Sequence, residues 1–118
     1  MLDQFVPRRF GMDNKKSLVS KAFFAFQNEA PQHAQAWMTC VKGLAAASSL
    51  DEKTRELAYI AILAVLRNES GIPFHVQAAK KAGAKRNEVI SAILLGLTPA
   101  GHTVTQVLPA AIEAYDAE

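Results

Sequence analysis

The chain has 118 residues, half of them hydrophobic, with only six glycines and five prolines. That length bounds it to one domain with a single core, and the scarcity of turn-forming residues favours helices over strands. Thirteen basic against eleven acidic residues leave a net charge of +2, too balanced to imply a nucleic-acid or membrane partner.

The opening MLDQFVPRRFG lacks the apolar stretch of a signal peptide. No window reaches the roughly 18 apolar residues of a spanning helix. One cysteine, Cys40, permits no intrachain disulfide and fits a reducing, cytoplasmic setting. Residues 1–14 read as an irregular lead-in, its basic Arg8 and Arg9, with Lys15 and Lys16 beyond it, forming a solvated arm.

Asp13 or Asn14 is placed to cap a first helix reaching about residue 28, on which Leu18, Val19, Ala22, Phe23 and Phe26 recur at helical spacing. Pro31 suits the first turn of a second helix over 31–47, with Trp37, Cys40, Val41 and Leu44 on one stripe. Cys40 is thereby expected to be an inert core thiol, and His33 a polar surface residue. Ser49 or Asp51 begins the next helix, where Asp51 and Glu52 face its positive end.

From Leu57 to Leu66 every residue is apolar or tyrosine. A helix without a polar sector is expected to be packed on all sides and to form the centre of the fold. Asn68, Glu69, Ser70 and Gly71 break it, and Pro73 opens another helix that runs to about residue 82 and stops at Gly83. On that helix Phe74, Ala78 and Ala82 mark one face and His75 and Ala79 its neighbour, while Gln77, Lys80 and Lys81 are expected to point outward. A helix over 86–97 presents Val89, Ile90, Ile93 and Leu94 inward; residues 98–101 turn the chain; a last helix over 102–115 is interrupted near Gln106 by Pro109.

Two titratable residues flank this central hairpin. Glu56 fits, first, a solvated carboxylate or one paired with Lys53, Arg55 or Lys80, and second a general acid or base if neighbouring helices desolvate it. His75 fits a hydrogen-bonded core residue or a catalyst, and with no second ligand at metal spacing no metal is expected. At 1.5 Å per residue, a simple antiparallel hairpin leaves the two about one helical turn apart, a gap that side-chain length or an earlier helix start near Asn68 would close.

RELAYIAILAVLRN followed by HVQAAKKAGAKRNEVISAILLGLTPAGH resembles the carboxymuconolactone decarboxylase and alkylhydroperoxidase D (AhpD-like) superfamily, from about residue 50 onward. The likeness rests on the Arg-Glu-Leu helix opening, the spacing of His75 from Gly83, the Gly-Ala-x-x-x-Glu-Val entry to the following helix and the Ala-Gly turn before the last. It implies an all-α fold of about six helices in a single domain, assembled as a homotrimer or a hexamer of trimers.

The redox branch of that family carries Cys-x-x-Cys before the histidine. Here those positions fall on Asn68 and Gly71, so disulfide exchange lacks its thiolate. The decarboxylase branch keeps the histidine in a context like FHVQAA. Membership there implies a small-molecule substrate, a small unsaturated lactone acid that loses carbon dioxide, with no cofactor. His75 is then the acid or a positioning donor, with Glu56 orienting it; Arg55 or Arg67, or a basic residue of another subunit, holds the carboxylate, and His102 and Trp37 are secondary candidates for the cavity. Two alternatives stand beside it: a thiol-dependent peroxidase, and a non-catalytic oligomeric binding or scaffold protein.

Overall fold

The computed structural model describes residues 18–118. The expected lead-in, with its basic residues and the Asp13 or Asn14 cap, lies outside the described residues. Every regular element among the described residues is helical, and these residues divide into two compact units, one ending at residue 47 and the other spanning 48–118.

In the first unit α1 (Lys21–Glu29) packs on α2 (Pro31–Ala47). Ser20 caps α1, its hydroxyl accepting from Phe23 N–H at 3.1 Å. Phe23 and Phe26 meet edge to face with centroids 6.2 Å apart. The second helix has the expected bounds but not the expected burial. Only Ala34 of α2 is buried; Trp37, Cys40, Val41 and Leu44 are all exposed. Helical spacing groups residues on one face without deciding whether anything covers it, so the expectation of a core Cys40 is corrected.

The second unit is built on α3 (Glu52–Val65). Asp51 caps it by accepting from Thr54 N–H at 2.8 Å. Its buried residues are Ile60, Leu63 and Ala64, whereas Tyr59, Ile62, Val65 and Leu66 are 44%, 59%, 41% and 65% exposed. The expectation of a helix packed on every side is therefore overturned: neighbours cover one face and leave the other open.

Leu66 ends α3 and Arg67 takes the left-handed conformation, φ 57°. Arg67 N–H donates to Ala64 O at 3.1 Å and Asn68 N–H to Leu63 O at 2.9 Å, the paired bonds of a Schellman stop. A 3-10 turn over Glu69–Gly71 then folds the chain back so that a Cβ on Gly71 would lie 3.4 Å from the Leu63 side chain. Gly71 occupies the cap of α4 (Ile72–Lys81), with Pro73 in its first turn.

Ile72, Val76 and Ala79 form the buried face of α4, while Phe74 is exposed. The expected faces of this helix are thus rotated. Gln77 and Lys80, expected outside, are part-buried and serve the last helix: Gln77 Nε2 donates to Ala114 O, and Lys80 Nζ donates to Tyr115 O at 2.8 Å. Gly83, φ 100°, ends α4 by the same device as Arg67 ends α3.

Next come α5 (Arg86–Leu94), the single-turn α6 (Leu97–Ala100), a 3-10 segment His102–Val107 and α7 (Leu108–Asp116). The expected turn at 98–101 is mostly α6, and the expected break near Pro109 is the junction between the 3-10 segment and α7, where Pro109 sits in a first turn that needs no N–H from it. α4 packs on α3 and α7, and α5 on α3 and α7. Ile60, Ile72, Val76, Val89, Ile93, Val104 and Val107 close the core between them. Lys53 on α3 pairs with Glu88 on α5 at 3.0 Å. No helix among the described residues is long and apolar enough to cross a membrane.

Candidate active site

Glu56 lies on the second turn of α3 and His75 on the first turn of α4. Because the 3-10 turn returns the chain alongside Leu63 instead of extending a simple hairpin, the expected gap of a turn is absent. His75 Nδ1 is 2.8 Å from Glu56 Oε1, with the side chains 19% and 13% exposed. An ionised carboxylate only accepts, so Nδ1 is the donor and the ring is held in one tautomer. Nε2, on the other side of the ring, has no hydrogen-bond partner among the described residues.

Two aromatic rings frame the imidazole. Tyr59 lies flat against it, centroids 3.9 Å apart and planes 15° apart. Phe74 meets it edge-on at 5.2 Å and 83°. Neither ring stood out in the sequence, where Tyr59 belongs to the apolar run and Phe74 to a presumed packing face. The available signal was spacing: Tyr59 follows Glu56 by three residues and so shares its face of α3.

The other candidate residues are not drawn into this arrangement. Arg55 is part-buried on α3, adjacent to Glu56 in sequence and therefore about 100° round the helix from it. Arg67 is exposed at the helix stop, and His102 is exposed at the start of the 3-10 segment, its carbonyl accepting from Thr105 Oγ1 at 3.0 Å. No hydrogen bond, ion pair or ring contact joins Arg55, Arg67 or His102 to the His75–Glu56 pair among the described residues. Trp37 is exposed on α2, in the first unit. Lys53 and Lys80, considered as partners of Glu56, are instead engaged with Glu88 and with the carbonyls of Tyr115 and Ala117.

The pair can orient a proton donor or acceptor; it cannot exchange disulfides. Asn68 and Gly71 stand in the break before α4, and Cys40 is an exposed thiol on α2. No curated protein matches the chain. The family model described as the carboxymuconolactone decarboxylase family matches residues 31–113. With that match covering most of the chain and an all-helical fold around it, this protein belongs to the carboxymuconolactone decarboxylase family.

Proposed function

We propose that the protein is a small-molecule enzyme of the decarboxylase-like, lyase kind, working by acid–base chemistry at His75. The observation that carries this reading is the 2.8 Å contact between His75 Nδ1 and Glu56 Oε1, which leaves Nε2 as the unengaged ring nitrogen. For an unsaturated lactone acid the step balances as follows. The bond from carbon to the departing carboxylate breaks, its electron pair enters the conjugated carbonyl, and an imidazolium Nε2–H returns a proton to carbon as carbon dioxide leaves. The Glu56 carboxylate, in contact with Nδ1, offsets the imidazolium charge. A cation for the carboxylate is assigned to Arg55 or Arg67, or to a basic residue of a second copy.

The apolar side chains that α3 leaves exposed, Ile62, Val65 and Leu66, fit the homotrimer or hexamer that family membership implies. Sedimentation at the mass of one chain would remove that assembly.

The test is carbon dioxide release from carboxymuconolactone by the wild type, His75→Asn and Glu56→Gln. Loss of a general acid lowers turnover by about 10²–10⁴-fold, so His75→Asn is expected to fall that far and Glu56→Gln by less. Unchanged turnover in both variants removes the acid–base reading. Binding of the lactone acid by the wild type without release of carbon dioxide favours the non-catalytic alternative instead.

A further inference from the structure

We infer that Tyr59 is a positioning residue: its ring, laid flat on the imidazole of His75, sets the plane in which Nε2 is presented.

One hydrogen bond restrains the imidazole plane without locking it. The terminal torsion of a ring on an sp³ carbon is broad, and the contact of Nδ1 with Glu56 Oε1 at 2.8 Å confines it only as closely as a single hydrogen bond does. The parallel Tyr59 ring at 3.9 Å and 15° removes that freedom from one face, and the perpendicular edge contact of Phe74 at 5.2 Å limits tilting. Offset-stacked and edge-to-face arrangements are the favoured aromatic geometries. Both contacts from α3 come from one helical face, since Glu56 and Tyr59 are three residues apart: the first grips the ring's edge and the second its flat side.

Tyr59 is also a poor candidate for a purely structural role. It is 44% exposed and absent from the buried cluster of Ile60, Leu63 and Ala64 that α3 contributes to the core. Its hydroxyl has no hydrogen-bond partner among the described residues. The one close ring contact it makes among the described residues is the one with His75. The ring, rather than the hydroxyl, is the working part.

The inference rests on reading His75 Nε2 as the reacting atom, but its test observes the imidazole directly and needs no turnover. In ¹⁵N-histidine-labelled protein, two-bond proton–nitrogen correlations report the tautomer of His75, and exchange with water reports how firmly its Nδ1 proton is held. Tyr59→Leu is expected to speed that exchange by about two- to tenfold, the range a stacked aromatic pair supplies, and to mix the tautomers. Tyr59→Phe is expected to match the wild type. The melting temperature of Tyr59→Phe is expected within about 2 °C of the wild type and that of Tyr59→Leu lower by about 2–8 °C, and Tyr59→Met, closer in volume, serves in place of Tyr59→Leu if the latter does not fold. Wild-type exchange and tautomer in Tyr59→Leu would overturn the inference, as would a Tyr59→Phe variant that behaves like Tyr59→Leu. Should these spectra change as expected while His75→Asn keeps its turnover, the positioning role stands and the acid–base reading falls.

Discussion

His75 and Glu56, nineteen residues apart in the chain, are joined through Nδ1 and Oε1 at 2.8 Å with both side chains largely withdrawn from water. The contact exists because the turn after α3 doubles back beside Leu63 before α4 begins, bringing the first turn of one helix against the second turn of the other.

Breaking that contact has a cost separate from activity. Glu56→Ala leaves the His75 N–H without its acceptor in a part-buried site and is expected to lower unfolding free energy by about 1–3 kcal/mol. Glu56→Gln keeps an acceptor oxygen and is expected to lose less. Urea titration of the two variants measures the difference, and equal losses would mean that the hydrogen bond contributes little.

Arg67 offers a test in which stability and function part company. It holds φ 57°, a conformation glycine adopts without penalty. Arg67→Gly is therefore expected to stabilise the fold by about 1 kcal/mol. If Arg67 holds the substrate carboxylate, the same variant raises KM for the lactone acid while its melting temperature rises. A stabilised variant with unchanged KM would take Arg67 out of the site.

Gly96 is needed for close packing. A Cβ there would come within 2.9 Å of Val104 Cγ1 and 3.1 Å of Val65 Cγ2, so Gly96→Ala is expected to cost about 1–3 kcal/mol by overpacking. Gly43, in the middle of α2, has nothing within 4 Å of the same position, and Gly43→Ala is expected to gain about 0.5–1 kcal/mol through helix propensity. Thermal melts of the two variants should therefore shift in opposite directions.

Acid should weaken the fold through three surface carboxylates. Asp51 is held below the usual carboxylate range by the Thr54 backbone N–H, Glu88 by the Lys85 backbone N–H and then Lys53, and Asp116 by Arg86. A carboxylate depressed on folding contributes fully above its unfolded value, and that contribution disappears as pH falls through the folded value. Melting temperature is expected to decline as pH drops below the ordinary carboxylate range, and Asp51→Asn to flatten the decline. An equally steep profile in Asp51→Asn would show that the cap carries none of it.

Cys40 is exposed, so a thiol reagent is expected to label the native protein as fast as a free peptide thiol. Labelling should leave any decarboxylation intact. Loss of turnover in step with labelling would revive the thiol-dependent alternative.

The sequence alone determined the local elements: the Pro31 start, the Asp51 cap, the Gly83 stop and the disruption near Pro109 each depend on the backbone preferences of one or two residues, which act at short range. The all-α class and the two titratable residues of the candidate site were legible for the same reason, and through motif spacing. Only the tertiary structure decided which faces are covered. Periodicity marks an apolar stripe on α2 and an apolar run on α3, yet Trp37, Leu44, Ile62 and Leu66 stand exposed, because burial depends on what packs against a helix and not on the helix itself. Likewise helical spacing puts Tyr59 on the face of Glu56, but only the packing of α4 against α3 lays its ring flat on His75.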